Sequence, residues 1–401
     1  MRLTARVVVA ASVMLATGVL AKGASSPMAQ VALAPPASIG LDSARLAEAT
    51  ALLRTLVAEG AVAGAVAGVA RRDQVAYLEA VGVQDLNART PMTERSLFRI
   101  YSMTKPITAV AVMMLHDQGR FRLDDPVSMY LPEFADLRVG AGPAARPPAR
   151  AVTVEDLLLH TSGLSHRTSD LYRELQVRSR ADTLPAFVTK ITRAPLMEDP
   201  GTRFRYSEAT TIVGRLIEVW SGKPFDVFLQ ERLLGPLKMS DTTFWVEREH
   251  QARLTRVYQT TPNGLTPREL EAVPFTEKPA LMEGAVGLVS TVPDYIRFSQ
   301  MLLNKGELDG VRLLNPATVE KMTANGLSPA MLQVRAGTGW GLANVNVAPD
   351  GEYGWDGSAG TIFWVDPAKE LVIVLMTQIL PPNPDSVRQR FKTLVKDSMV
   401  S

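Results

Sequence analysis

The stretch Arg99-Ile100-Tyr101-Ser102-Met103-Thr104-Lys105-Pro106 carries a serine and a lysine three residues apart, and an apolar run, 107–115, follows it. The run predicts a helix, so Ser102 and Lys105 would lie on one face of its first turn. The N–H groups of a helix start stabilise a developing oxyanion and disfavour a lysine charge. The stretch therefore predicts a serine nucleophile with its own base. The alternative is an N-capping serine beside a surface lysine.

The first residues have the pattern of an export signal. Arg2 and Arg6 precede an apolar run, 7–20, and small residues end it near Ala21. We predict a secretory signal peptide at residues 1–21, since the run is shorter than the about 20 residues of a membrane span. An uncleaved membrane anchor is the alternative. We expect an exported protein, periplasmic or secreted, with no membrane span in its mature part and a flexible leader at 22–40.

Composition excludes several classes of function. The 43 basic and 41 acidic residues are nearly balanced and form no charge runs, so no nucleic-acid partner is expected. Zero cysteine excludes disulfides, thiol catalysis and thiolate metal ligands. No metal site is predicted, because the four histidines lack metal-ligand spacing, and His160 is expected to cap or hydrogen-bond a loop. No phosphate-binding glycine-rich loop precedes a helix, and no cofactor is expected. Nothing in the sequence points to a particular oligomeric state.

Hydrophobic periodicity changes twice along the chain. Near the start it predicts a helix at 41–59 and strands at 64–70 and 74–81. The middle is rich in helical patterns, with a capping box at Thr153 and periodic segments at 184–191, 210–221 and 225–234. The last part returns to strands, with a short strand at 287–291 and a hairpin from 361–365 and 371–377. Helices are predicted to start at Thr291 and Asn315, the second of them ending at Gly326, and a terminal helix is predicted at 386–395.

This order predicts a mixed fold class, α/β plus all-α. Residues 41–98 and 285–401 would build an antiparallel sheet flanked by helices, and residues 99–284 would form an inserted helical lobe. Together they make one domain at about 41–395. Ser102 falls near the first crossing between the lobes, where a catalytic cleft is expected.

Two further stretches can complete a site. Tyr206 follows a turn and precedes a predicted helix, so it can project into the cleft and shuttle protons, although such a tyrosine is more often a packing residue. The small residues after Trp355 precede a strand and let a substrate approach the backbone closely, although a glycine-rich turn beside a core tryptophan is the alternative. No Gly-x-Ser-x-Gly occurs, so a nucleophile-elbow hydrolase is unsupported.

Six motifs follow one another along residues 41–395: Ser102-Met103-Thr104-Lys105, His160-Thr161-Ser162-Gly163-Leu164, Pro200-Gly201-Thr202, Tyr206-Ser207, Gly287-Leu288-Val289-Ser290-Thr291 and Trp355-Asp356-Gly357-Ser358-Ala359-Gly360-Thr361. In this order they resemble the class C-like serine hydrolases of the β-lactamase/penicillin-binding-protein superfamily. The resemblance implies an acyl-serine at Ser102, with Lys105 and Tyr206 as proton-transfer partners. It also implies an oxyanion hole from the backbone N–H groups of Ser102 and Ser358.

Departures from the family pattern narrow the choice of substrate. Class C β-lactamases carry Tyr-x-Asn, but the third position here is Glu208, and Trp355-Asp356-Gly357 replaces their Lys-Thr-Gly. A Trp-x-Gly motif resembles the family VIII carboxylesterases, and it implies that Trp355 and Gly357 contact the substrate. We therefore predict a serine hydrolase of short-chain carboxylic esters. The alternatives are a β-lactamase or D-Ala-D-Ala carboxypeptidase-like activity, an acyltransferase, or a non-catalytic cell-wall or ligand-binding protein.

Overall fold

In the computed structural model, residues 31–382 and 385–400 are described. The predicted signal peptide at 1–21 lies outside them. The helices span Ser43–Ala58 (α1), Thr104–Asp117 (α2), Val154–Leu158 (α3), Asp170–Glu174 (α4), Leu184–Ile191 (α5), Ala209–Ser221 (α6), Phe225–Leu229 (α7), Val292–Leu303 (α8), Pro316–Thr323 (α9), Pro329–Val334 (α10) and Asp385–Asp397 (α11). None of the helices in this part of the chain is long and apolar enough to cross a membrane.

The strands come from both ends of the chain and from the region between them. They span Gly64–Arg71 (β1), Gln74–Asp85 (β2), Thr90–Pro91 (β3), Phe98–Arg99 (β4), Tyr258–Thr261 (β5), Gly264–Pro267 (β6), Val289–Ser290 (β7), Glu307–Leu308 (β8), Val311–Arg312 (β9), Gly339–Gly341 (β10), Val345–Val347 (β11), Tyr353–Gly357 (β12), Thr361–Asp366 (β13), Leu371–Met376 (β14) and Ile379–Leu380 (β15).

The main sheet has eight strands in the order β10-β11-β12-β13-β14-β1-β2-β3, and neighbouring strands are antiparallel. Strand β1 is buried along its whole length between β2 and β14. Because side chains alternate across a pleated strand, its apolar residues divide between two faces. Val66 belongs to one core cluster and Ala67 to the other. Both faces of the sheet therefore need a covering layer of helices.

Helices α1 and α11 cover one face, and α8 covers the other. Leu53 of α1 and Phe391 of α11 share a buried cluster with Ile373 of β14. On the opposite face, Tyr295 of α8 packs against Phe363 of β13 with ring centres 4.9 Å apart. The predicted antiparallel sheet flanked by helices is confirmed.

The inserted region contains α2 to α7, with α2 at its centre. Every residue of α2 from Thr104 to Leu115 is buried, which is expected of a helix that is apolar on all sides. The region is not purely helical, however. Strands β5 and β6 form a hairpin that pairs in parallel with β15, through Tyr258 and Ile379, and no α-helix lies between α7 and α8. The predicted helical lobe, 99–284, therefore contributes to a second small sheet.

Most predicted helix starts are confirmed by their caps. Asp42, Thr153 and Thr291 each accept a backbone N–H in the first turn of the following helix. Asn315 occupies the N-cap of α9 without a capping hydrogen bond. Gly326 was expected to stop that helix, but α9 already ends at Thr323. A Cβ at position 326 would lie 2.7 Å from a methyl carbon of Leu159, so this glycine permits close packing instead.

The expected flexible leader at 22–40 is partly ordered at its C-terminal end. Pro36–Ile39 forms a 3-10 helix, and Ile39 is buried in the cluster beneath α1. The backbone N–H of Ala34 also donates to Val75 O of β2 at 2.8 Å. The chain from Leu33 onward belongs to one compact unit.

Candidate active site

Ser102 lies in a 3-10 turn, Tyr101–Met103, that leads directly into α2. It is only 8 % exposed. The preceding residue, Tyr101, has a φ of 41°, a left-handed conformation that costs free energy for a residue with a side chain. Two contacts hold this turn: the pairing of Phe98 in β4 with Ser290 in β7, and a hydrogen bond of 2.8 Å from the Tyr295 hydroxyl to Met103 O. The nucleophile candidate is therefore held on a strained turn anchored by buried elements.

Lys105 lies in the first turn of α2 and is 1 % exposed. Its Nζ donates to Ala285 O at 3.0 Å and lies 4.6 Å from the centre of the Tyr206 ring. No hydrogen bond joins the Ser102 hydroxyl to Lys105 or to Tyr206 in the part of the chain that the structure describes. Catalytic hydrogen bonds often tighten only when substrate binds. The structure thus places the amine beside the tyrosine, at the same helix start as the serine.

Tyr206 is half-buried just before α6, and aromatic rings surround it. The ring centres of His160, His166, Trp340 and Trp355 lie 4.8, 5.7, 6.0 and 5.3 Å from that of Tyr206. The indole N–H of Trp355 donates to the Tyr206 hydroxyl oxygen at 3.3 Å. Since the oxygen accepts this bond, its own O–H is left to donate toward reacting atoms.

Gly357 brings the end of β12 against the nucleophile turn. A Cβ at this position would lie 2.4 Å from Ile100 O and 2.3 Å from the Thr361 hydroxyl, so only glycine allows the approach. Ile100 is two residues before Ser102, and Ser358 follows on an exposed turn. The predicted oxyanion donors, the N–H groups of Ser102 and Ser358, thus belong to two segments that are in direct contact. The Ser102 N–H lies in the first turn of its 3-10 helix, where no intrahelical acceptor is available.

The His160 ring packs against the ring of Tyr206. It is fully buried, and its Nδ1 accepts the backbone N–H of Ser207 at 3.3 Å and lies 3.1 Å from that residue's hydroxyl. Burial, and then the charge of Lys105, hold the pKa of His160 well below its usual 6.5. A neutral ring is therefore stable here. The expectation that His160 hydrogen-bonds a loop is confirmed, but its contact with Tyr206 was missed.

Glu208 does not point into open solvent. It is 1 % exposed, its Oε1 accepts the backbone N–H of Arg167 at 3.3 Å, and the same oxygen lies 3.7 Å from Nε2 of His166. Burial alone would raise the pKa of Glu208, but the charges of Arg167 and Lys105, with smaller contributions from other neighbours, lower it overall. Glu208 is therefore a buried carboxylate at neutral pH.

Trp340 and His166 were also missed by the sequence analysis. Trp340 is fully buried, packs edge-on against Trp355 at 4.6 Å and donates its N–H to Leu158 O at 3.1 Å. The sequence did contain a signal for Trp340, because glycines flank this tryptophan on both sides in β10. A Cβ at Gly341 would meet Met322 O at 2.3 Å. Among the residues at hand, 31–382 and 385–400, no group of three or more histidine, aspartate or glutamate side chains could hold a metal ion.

Ser102 on its strained turn, Lys105 one turn further on and the ring of Tyr206 beside that lysine form one site. The family model described as Beta-lactamase matches residues 49–396. The chain belongs to the Beta-lactamase family. Within that family of serine hydrolases it lies close to the family VIII esterases.

Individual relatives support this placement in the Beta-lactamase family. An uncharacterised protein of Mycobacterium tuberculosis is 32 % identical over 362 residues, which are 82 % of this chain and 89 % of that protein. Esterase EstB of Burkholderia gladioli is 29 % identical over 381 residues, covering 85 % of this chain and 93 % of EstB. Among solved structures, EstCE1, a hydrolase with promiscuous acyltransferase activity, has the same fold with a TM-score of 0.77 and 24 % identity, covering 89 % of this chain and 99 % of EstCE1.

Proposed function

We propose that this protein hydrolyses short-chain esters with an uncharged acyl group, through an acyl-serine intermediate on Ser102. The observation that carries the proposal is the bond from Trp355 to Tyr206. Where the resemblance to class C β-lactamases would place a lysine, this site has a neutral donor on a large apolar ring. The relationship to EstB, named an esterase, supports an ester as the substrate.

In the proposed reaction, Ser102 Oγ attacks the ester carbonyl carbon while its proton passes to the pair formed by Lys105 and Tyr206. The N–H groups of Ser102 and Ser358 stabilise the negative oxygen of the tetrahedral intermediate. The C–O bond to the alcohol then breaks, and the alcohol leaves with the proton. Water attacks the acyl-serine in the same way, giving the carboxylic acid and restoring the Ser102 hydroxyl.

Because the Trp355 side chain carries no charge, the site favours an ester over a β-lactam. A β-lactam or a D-Ala-D-Ala peptide brings a carboxylate to the site, and burying that charge against an indole without a partner costs free energy. An uncharged ester has no such cost. Glu208 does not add repulsion from an open position, since it is buried against Arg167 and His166.

The test is a side-by-side measurement of kcat/KM on an aryl butyrate, a chromogenic cephalosporin and a D-Ala-D-Ala peptide. We expect the ester to be preferred by at least ~100-fold, which corresponds to about 2.7 kcal/mol. Ser102→Ala is the control for non-enzymatic hydrolysis. Comparable rates on all three would favour the β-lactamase or peptidase alternative, and a butyrate ester formed from an added alcohol would favour acyl transfer.

We also propose that the enzyme acts outside the cytoplasm. The support is the sequence pattern of residues 1–21, two arginines followed by an apolar run and small residues. N-terminal sequencing of the enzyme from fractionated cells tests this: a mature start after about Ala21 in the envelope or medium is expected, and an intact Met1 in the membrane fraction would contradict it.

A further inference from the structure

Glu208 is a buried carboxylate two residues after Tyr206, and the reaction described above gives it no task. It occupies the N-cap of α6, but its side chain makes no capping hydrogen bond. Its Oε1 accepts the backbone N–H of Arg167 at 3.3 Å, and its Oε2 has no partner among the described residues. A buried carboxylate with so few hydrogen bonds costs free energy. The local fold therefore does not account for a charge at this position.

A chain of contacts leads from Glu208 to the proposed proton-transfer pair. Nε2 of His166 lies 3.7 Å from Glu208 Oε1, and the His166 ring is stacked on that of Tyr206 with 5.7 Å between ring centres. The N–H of Thr168 donates to Nδ1 of His166 at 3.3 Å, so in the neutral ring the proton is on Nε2 and faces Glu208. Lys105 Nζ lies 4.6 Å from the centre of the same tyrosine ring. Glu208 and Lys105 are thus linked through two rings.

Most of the titratable groups around Glu208 and Lys105 do not balance the charge of Glu208. These groups are His160, His166, Arg167, Tyr172, Arg178 and Tyr206. Arg178 is already bound to Glu271 and Glu283, at 2.8 and 2.5 Å. Burial lowers the pKa of both histidines and raises the pKa of Tyr172, so these three side chains are uncharged at neutral pH. Among the described residues, Arg167 and Lys105 remain as the cations that balance Glu208.

The charges of Glu208 and Lys105 act on each other. Burial raises the pKa of Glu208, but the charges of Arg167 and Lys105, with smaller contributions from other neighbours, lower it overall. Because the interaction of two charges is mutual, Glu208 favours the positive form of Lys105. The same negative charge disfavours a negative oxygen on Tyr206. Both effects keep a proton on the pair formed by Lys105 and Tyr206.

We propose that Glu208 is a positioning residue for proton transfer. Its buried charge sets the pH above which the pair formed by Lys105 and Tyr206 can accept the proton of the nucleophile. Glu208→Gln keeps an oxygen that can accept the Arg167 N–H, so the substitution removes the charge and leaves this hydrogen bond available. The inference rests on the proposed function, since it assigns control of the proton step in the same reaction.

The experiment is the pH profile of kcat/KM on an aryl butyrate, which should rise with pH to a plateau when a base must lose its proton. In Glu208→Gln the midpoint of this rise should fall by at least ~0.5 pH unit, because the pair then releases its proton more readily. Glu208→Asp keeps the charge and should restore the midpoint of the natural sequence. Glu320→Gln is the matched control, since it removes an exposed carboxylate that pairs with Lys305 at 2.7 Å, and it should leave the midpoint unchanged.

The position of the midpoint separates an electrostatic role from a structural one. If Glu208→Gln lowers kcat/KM equally at every pH and the midpoint stays in place, the proposal is overturned and Glu208 only supports the fold. If Glu208→Gln does not fold, as judged by circular dichroism, Arg167→Gln carries the test. It keeps the backbone N–H that binds Glu208 but removes a positive charge, so the midpoint should rise. An unchanged midpoint in Arg167→Gln would then overturn the proposal.

A titration of His166 separates this inference from the proposed chemistry. The ring C–H signals of the four histidines can be followed by NMR in Ser102→Ala, and the His166 signal is identified by its loss in His166→Gln. Because Glu208 favours a positive His166, adding Glu208→Gln to Ser102→Ala should lower the pH at which His166 titrates. If Ser102→Ala stays fully active, the proposed function fails, but this titration still shows whether the charge of Glu208 acts on the ring stacked against Tyr206. An unchanged His166 titration would overturn the inference.

Discussion

Trp355 and Tyr206 are joined across the cleft by a hydrogen bond of 3.3 Å from the indole N–H to the phenolic oxygen. A tryptophan N–H can only donate and carries no charge, whereas a lysine in its place would also stabilise a negative tyrosine and attract a substrate carboxylate. The pair therefore keeps the orientation of Tyr206 but gives up the attraction for an anion. This one contact links the Trp-x-Gly motif to the choice of substrate.

Covalent labelling should locate the nucleophile at Ser102. Its place on a strained turn next to Gly357 predicts an acyl-enzyme there, so a phosphonate should add its mass to the peptide that contains residue 102. Mass spectrometry of the digested protein measures this. Ser102→Ala should abolish both the label and the activity, and a label on another serine would contradict the mechanism.

Lys105 and Tyr206 should each be needed for proton transfer. Lys105→Ala removes the Nζ that lies 4.6 Å from the Tyr206 ring. Tyr206→Phe removes the hydroxyl of the ring that His160, His166, Trp340 and Trp355 surround. Each should lower kcat/KM on an aryl butyrate by at least ~100-fold, as expected of a positioned acid or base.

The matched control is Lys238→Ala, which removes an exposed lysine that pairs with Asp309 on the surface. It should retain the activity of the natural sequence. Thermal unfolding of all three variants separates a lost proton transfer from a lost fold. Near-normal activity in folded Lys105→Ala or Tyr206→Phe would mean that the other residue acts without its partner.

The sequence predicted those features that depend on residues close to one another along the chain. Ser102 and Lys105 could be found because a serine, a lysine and an apolar run stand next to one another, and Thr291 because a cap precedes its helix. The hairpin of β13 and β14 was also predicted, since β-branched runs flank Asp366-Pro367.

What the sequence did not predict depends on contacts between distant segments. Glu208 could be noticed as a departure from Tyr-x-Asn, but its partner Arg167 comes from a loop 41 residues earlier, where nothing in the sequence sets its direction. Trp340 reaches the site because Gly341 lets β10 approach the carbonyl oxygen of Met322 and Gly339 lets it approach the side chain of Asn325. The β5–β6 hairpin was missed because it is polar and half-exposed, so its strands lack a clear hydrophobic alternation.

Stability should fall as pH rises toward neutrality because of Asp294. Burial, with the nearby Asp241 charge, raises the pKa of Asp294 to about 7. Since its unfolded pKa is about 3.9, the folded state binds the extra proton between these values. The contribution of Asp294 to the free energy of unfolding is therefore largest below pH 4, declines up to pH 7 and is constant above it.

Asp294→Asn should remove this decline while keeping an oxygen that can accept from the Thr242 hydroxyl. The measurement is the free energy of urea unfolding at pH 5 and pH 7.5 for both proteins. Asp156→Asn is the control, because the pKa of Asp156 is shifted in the opposite direction to that of Asp294. Burial would raise the pKa of Asp156, but its bonds from Arg150, Thr153 and Thr161 lower it overall, so its stabilisation is lost only as pH falls below the range tested. An unchanged pH slope in Asp294→Asn would show that another group titrates.

Trp355 should control the preference for uncharged substrates, and two substitutions separate its roles. Trp355→Phe keeps an aromatic ring but loses the N–H that binds Tyr206, so kcat/KM on an aryl butyrate should fall by ~10-fold, the order expected for one hydrogen bond. Trp355→Lys keeps a donor for Tyr206 and adds a positive charge that can pair with a carboxylate. It should therefore raise the ratio of kcat/KM for a cephalosporin to that for the aryl butyrate by at least ~10-fold, while Trp355→Phe should leave this ratio nearly unchanged. If both variants change the ratio equally, the size of the side chain at position 355 selects the substrate, and its charge does not.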